Sequence, residues 1–119
     1  MLSLDVYVDG SGKNGMYCYL IPGQKPKIFR EELLTNNQAE YKAIIAALQE
    51  LTDVDMTIYS DSLLAVKQLD REYKIRNSEL RKLASKVRTL SRDREIIIKW
   101  IPREENLAGK VLDKLVKGW

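Results

Sequence analysis

The chain has 119 residues, 45% of them hydrophobic and 31% charged, which suits one soluble globular domain over residues 1–119 and leaves no apolar run near the ~20 residues needed to span a bilayer. There is no histidine, which removes Ser-His-Asp chemistry, histidine-ligated zinc and the usual near-neutral general base. The single Cys18 rules out an internal disulfide framework and fits a reducing compartment, and the net charge of +3 leans toward a polyanionic partner.

The alternation in Leu2 to Val8 predicts a strand, followed by a turn at Gly10 to Gly15 and a second strand at Met16 to Ile21. The first strand starts almost at Met1 with no signal-peptide layout, so a cytoplasmic protein is expected. Cys18 reads as a small core residue. Pro22 to Pro26 form another turn, with a short strand near Lys27 to Glu32. A helix is expected from about Asn37 to Leu51, its apolar stripe formed by Ile44, Ala47, Leu48 and Leu51. Asp55 to Ser60 reads as a strand, Ser62 to about Arg71 as a helix, and Asn77 or Ser78 as the cap of a helix reaching Leu90. Glu95 to Ile101 is a strong strand, with Trp100 expected in the core. A last helix after Pro102 carries Ala108, Val111, Leu112 and Leu115 on one face. Strands and helices in this order imply a mixed sheet flanked by helices.

Three acids stand out on this scaffold. Asp9 ends one apolar run, Asp61 ends another, and each follows a tyrosine by two residues (Tyr7-x-Asp9, Tyr59-x-Asp61). In parallel neighbouring strands the two carboxylates then project to one face. Glu40 lies four, seven and eleven residues before Ile44, Ala47 and Leu51, so it heads the inward stripe of its helix. Singly, each acid is explained as a cap, a turn residue or a macrodipole partner. Together, with few basic partners near them in the chain, they suggest a divalent-metal site of hard oxygen ligands suited to Mg²⁺ or Mn²⁺ and to phosphate chemistry.

Asp9-Gly10-Ser11, the block Thr35-Asn36-Asn37-Gln38-Ala39-Glu40 followed by Ala43 and Leu48, Ser60-Asp61-Ser62, and Trp100 through Asn106 resemble ribonuclease HI of the ribonuclease H-like superfamily, in matching order over nearly the whole chain. The resemblance implies a five-stranded mixed sheet, three antiparallel strands then two parallel. It also implies an endoribonuclease acting on the RNA strand of RNA/DNA hybrids, with double-stranded RNA a second candidate. Two divalent ions about 4 Å apart would serve the cleavage, which leaves 5′-phosphate and 3′-hydroxyl ends. Asp9 would bridge the ions, with Glu40 and Asp61 completing the set. Gly10 and Ser11 would lie against the substrate, Asn36 and Gln38 would reach the minor groove, where 2′-hydroxyls mark RNA, and Thr35 and Asn77 would hold a phosphate of the DNA strand. Helix capping competes for Asn36 and Asn77, and turn chemistry explains Asn14, the remaining substrate-binding candidate, equally well. A monomer is expected.

The family's fourth carboxylate falls on Lys110, which cannot bind Mg²⁺. Asp113 lies three residues on, rotated by about 60° around the helix, and helical side chains lean toward the amino terminus, over Gly109. Asp113 is therefore the candidate fourth ligand, against the plainer reading of a surface aspartate. The chain also lacks the family's active-site-loop histidine and its basic helical projection; Lys74, Arg76, Arg81, Lys82, Lys86 and Arg88 offer a substitute backbone-binding edge or simply a solvated face. Weaker substrate binding and slower turnover than in members with those parts are expected. The competing functions are a non-catalytic hybrid- or double-stranded-RNA-binding module, and a strand-transferring or junction-resolving enzyme of the same superfamily.

Overall fold

A computed structural model describes residues 3–118. In chain order the elements are β1 (Ser3–Ser11), β2 (Met16–Leu20), β3 (Lys27–Arg30), α1 (Asn36–Glu50), β4 (Asp55–Ser60), α2 (Leu63–Leu69), α3 (Ser78–Leu90), β5 (Ile96–Trp100), a 3₁₀ turn (Arg103–Glu105) and α4 (Leu107–Lys117). The five strands form one sheet in the order β3-β2-β1-β4-β5. β1, β2 and β3 pair antiparallel, while β4 and β5 join parallel to β1 through helical crossovers. This is the α/β architecture expected for the sequence.

Strand parity divides the core in two. Val6 and Val8 of β1, Tyr19 of β2 and Met56 and Ile58 of β4 pack under α1, with Leu80, Ala84 and Val87 of α3 closing that layer. Met16 and Cys18 of β2 face the other way and meet Ala108 and Leu112 of α4, beside Tyr7. α1 is buried on more than a stripe: Ala39 through Leu48, Lys42 apart, are covered, because the helix sits between the sheet and α3. Its start is fixed by a capping box, in which Thr35 Oγ1 accepts from the Gln38 N–H (3.1 Å) and Gln38 Oε1 accepts from the Thr35 N–H (2.9 Å). Such a pair stabilises the first turn by about 1 kcal/mol.

Some expectations shift. β1 continues past Asp9 to Ser11, so Asp9 is an interior strand residue paired with Cys18, and the turn tightens to Gly12–Gly15. Trp100 is 45% exposed, not in the core, because β5 is an edge strand and the ring lies over its end; its Nε1–H donates to the Asp61 carbonyl at 3.2 Å. Leu115 is also exposed, because α4 packs mainly on β1 and β2 and its last turn is left largely in solvent. Leu2 and Trp119 lie outside the described residues. No described helix is long and apolar enough to cross a membrane.

Candidate active site

Tyr7 of β1 pairs in parallel register with Tyr59 of β4, and their rings stack with centroids 4.9 Å apart. Two residues further along the chain, Asp9 within β1 and Asp61 just past the end of β4 come to the same cleft. α1 brings the third acid. Its first turn lies directly on β1 at Gly10, where an added Cβ would sit 2.3–2.6 Å from the backbone of Ala39 and Glu40. Only glycine permits that approach, and it lets Glu40 Oε1 accept from the Gly10 N–H at 2.6 Å. One carboxylate oxygen from each of Asp9, Glu40 and Asp61 then falls within 4.8 Å of the others.

The cluster is costly to bury. Asp9 is 2% exposed and Glu40 4%. Burial, reinforced by the charges of Asp9 and Asp61, pushes the Glu40 carboxyl from its ordinary 4.5 up to about 9. Burial also raises Asp9, offset in part by Arg103. Desolvation and the two carboxylates push the Cys18 thiol up to about 12, so it stays an inert core group, as its sequence setting suggested. Asp9 Oδ1 is buried without a well-directed hydrogen-bond donor, although a guanidinium nitrogen lies 2.8 Å away. An oxygen left this way, in a set of hard oxygen donors open to a cleft, fits a divalent cation.

The cleft has a volume of about 330 Å³ and is lined by Asp9, Gly10, Ser11, Asn14, Asn36, Glu40, Asp61, Arg103 and Asp113, with α4 residues on one wall. Thr35, Gln38 and Asn77 do not line it. Thr35 and Gln38 form the α1 capping box, and Asn77 caps α3 by accepting from the Leu80 N–H at 3.0 Å. Asn36 Oδ1 accepts from the Gly12 N–H (3.3 Å), and Asn14 Nδ2 donates to Ser11 Oγ (2.8 Å).

Asp113 lies at the mouth of the cleft, its side chain 53% exposed, and stands outside the group of three acids that share a 4.8 Å sphere. Lys110 is exposed. Between Asp113 and the inner acids stands Arg103. Its Nη1 lies 2.8 Å from Asp9 Oδ1 and 2.9 Å from Asp61 Oδ2, and its Nη2 lies 2.9 Å from Asp113 Oδ1. The expectation of few basic partners fails here, because the 3₁₀ turn carries Arg103 back across the cleft from far along the chain. Gly109 clears a path for this guanidinium instead of for Asp113. The signal that could have revealed Arg103 was a glycine in the first turn of a helix, six residues after an arginine.

Asn106 is the second residue whose part emerges only in three dimensions. It is fully buried, caps α4 by accepting from the Ala108 N–H (3.1 Å), and donates through Nδ2 to the Val8 carbonyl (2.9 Å) and to Asp61 Oδ2 (2.8 Å). It thereby ties α4, β1 and Asp61 together. Asn106→Ala removes a cap and the hydrogen bonds to the Val8 carbonyl and to Asp61, an expected loss of roughly 2–4 kcal/mol. Denaturant melts of the metal-free protein measure it, and a loss under ~1 kcal/mol would show the bridge to be dispensable.

The comparisons agree with this geometry. Bifunctional protein Rv2228c of Mycobacterium tuberculosis is 36% identical over 76 residues, 60% of this chain, and the chain spans only 21% of that protein's length. Among solved structures, RNase H1 of the halophilic archaeon Halobacterium salinarum superposes with a TM-score of 0.80 at 24% identity, covering 99% of this chain and 100% of that one. LC11-RNase H1, isolated from compost, gives 0.78 at 26% identity over 98% and 99% of the two chains, and its complex with an RNA/DNA hybrid gives 0.81 at 24% over 95% and 99%. The sequence model of the RNase H family matches residues 2–117, a span that takes in the strands, the capping box and every acid of the cleft, and the protein belongs to that family.

Proposed function

We propose that this protein is an endoribonuclease of type 1 that hydrolyses the RNA strand of RNA/DNA hybrids, with Mg²⁺ or Mn²⁺ as cofactor. The observation that carries the reading is the cluster of Asp9, Glu40 and Asp61, three carboxylates sharing one 4.8 Å sphere at the floor of an open cleft in a family member. A hybrid bound to a similar fold, LC11-RNase H1, supports the choice of substrate.

Asp9, Glu40 and Asp61 hold the ions, with Asp113 as the fourth carboxylate. Divalent ions bound by these residues would stabilise negative charge at the phosphate and acidify a water; addition of that water to phosphorus with loss of the 3′ oxygen would leave 5′-phosphate and 3′-hydroxyl ends. The chain's own groups do the positioning. The Gly10 N–H fixes Glu40, Asn106 fixes Asp61, and Asn36 and Asn14 present amide groups at the rim, where a 2′-hydroxyl or a phosphate can be met. Ser11 and Gly10 line the same rim, while Thr35, Gln38 and Asn77 serve the substrate from outside the cleft. Arg71, Lys74, Arg81 and Arg88 surround a second hollow with Tyr73, a basic surface suited to a nucleic-acid backbone.

The test is cleavage of labelled RNA/DNA hybrid, double-stranded RNA and double-stranded DNA with Mg²⁺ or Mn²⁺ and with chelator. Hybrid cleavage that chelation abolishes is expected, with double-stranded RNA cut more slowly or not at all. No hybrid cleavage in either metal sinks the reading. Binding without cleavage would assign the non-catalytic module instead, the alternative that Lys110 favours. Full activity in Asp113→Asn removes that residue from the ligand set.

A further inference from the structure

Arg103 places a cation where the acids of the cleft converge. Nη1 is within 2.9 Å of both Asp9 and Asp61, and Nη2 is within 2.9 Å of Asp113, so one guanidinium joins the inner carboxylates to the outer one. The contacts with Asp61 and Asp113 are charge-assisted hydrogen bonds, and the contact with Asp9 is an ion pair. A divalent ion ligated by the same Asp9 and Asp61 oxygens would lie within a few ångströms of Nη1, and two cations that close repel strongly in a partly desolvated cleft. They cannot share the site.

The fold is cut to admit this side chain. Gly109 is buried in the first turn of α4, although glycine is a poorer helix former than alanine. Outside its own helix, the three atoms nearest to a Cβ at that position all belong to Arg103: Nη1 at 2.7 Å, Cζ at 2.9 Å and Nε at 3.4 Å. No atom outside the helix other than the guanidinium's lies closer than 3.4 Å, so the tight contacts are with the end of one side chain. The missing side chain therefore leaves room for the guanidinium. Arg103 itself is 47% exposed and stands on the short 3₁₀ turn, so its side chain can leave the cleft without disturbing the core.

We propose that Arg103 is a resident counter-cation that competes with divalent metal for the carboxylates. It neutralises the acids in the metal-free protein, and metal loading requires its guanidinium to withdraw from Asp9 and Asp61. The same withdrawal frees the Asp113 carboxylate, which ties that acid's availability as a fourth ligand to metal entry. The proposal rests on the metal-site reading of Asp9, Glu40 and Asp61, and it is read by metal affinity without nucleic acid.

Two variants test it by different routes. Arg103→Gln removes the competing charge. Gly109→Ala keeps every charge and adds one methyl group that pushes the guanidinium aside. Calorimetric titration of Mn²⁺ is expected to show tighter binding in both, by roughly 10-fold or more. Mn²⁺ should also raise the melting temperature of each variant more than that of the wild type. Adding Asp9→Asn to either variant should abolish the gain, which locates the ion at the acids. Unchanged or weaker Mn²⁺ binding in Gly109→Ala overturns the competition, and so does a gain that survives Asp9→Asn. If the wild type cleaves hybrid while neither variant binds Mn²⁺ more tightly, the competition alone fails. If both variants bind more tightly but no protein cleaves hybrid, the competition stands and the ribonuclease reading fails.

Discussion

Asp9→Asn is expected to abolish hybrid cleavage, by about 10³-fold or more, while leaving the fold intact. Asp9 sits mid-strand in β1, is 2% exposed, and shares its ligand sphere with both Glu40 and Asp61. Asparagine keeps the shape of the side chain but not the charge that holds a divalent ion, and losing one charge-stabilising group in a desolvated site costs on the order of 10²–10³ in rate even where the metal remains. Folding should tolerate the change, because burial already raises the Asp9 carboxyl and a neutral amide has less to lose on entering the core. Cleavage assays beside circular dichroism separate the two effects. A folded Asp9→Asn protein with more than about a tenth of wild-type activity contradicts its place in the chemistry.

The second large effect is on stability and carries the opposite sign. Glu40→Gln is expected to inactivate the protein and to stabilise its metal-free form. With Glu40 raised from 4.5 to about 9, the folded state holds a proton that the unfolded state releases over that interval. Stability contributed by this group is fully present below about pH 4.5 and is lost as pH rises through about 9. Glutamine can still accept from the Gly10 N–H, and it carries no charge to bury. At pH 8 in chelator the gain should be on the order of 1–3 kcal/mol, or roughly 4–12 °C in Tm, shrinking toward zero by about pH 4. Saturating Mg²⁺ or Mn²⁺ should reverse the order, since only the wild type keeps a full ligand set. Thermal melts from about pH 4 to 9 measure this, and a Glu40→Gln advantage that fails to grow with pH would falsify the assignment.

Both effects reflect one trade. On the proposed function, the buried acids weaken the metal-free fold at the place where a cation would be bound. Arg103 relieves part of that burden, and its own charged form is strongly favoured by Asp61 and Asp9 despite the cost of desolvation.

The strands, the helices and their order were legible in the sequence, because hydrophobic periodicity reflects which faces are buried and the capping and turn residues are local signals. The convergence of Asp9, Glu40 and Asp61 was legible for the same reason. Tyr7-x-Asp9 and Tyr59-x-Asp61 carry the parity of their strands, and Glu40 carries the phase of its helix. Boundaries were less so: β1 outruns the apolar residues to Ser11 because pairing with β2, not side-chain polarity, decides where it stops. The exposure of Trp100 and Leu115 depends on which strand is at the edge and how far α4 reaches, and neither is written locally.

The sequence by itself determined the fold class and the three inner acids, which follow from local pattern and spacing, and the resemblance to the family, which follows from motifs set in matching order along the chain. Tertiary structure alone decided how the cleft is closed. Arg103 meets Asp9 across 94 positions and Asp61 across 42, and Asn106 reaches Val8 across 98. Contacts of that span depend on how α4 packs against β1 and β2. No periodicity encodes them, and they turn Gly109 from an anomaly of helix propensity into the seat of a guanidinium.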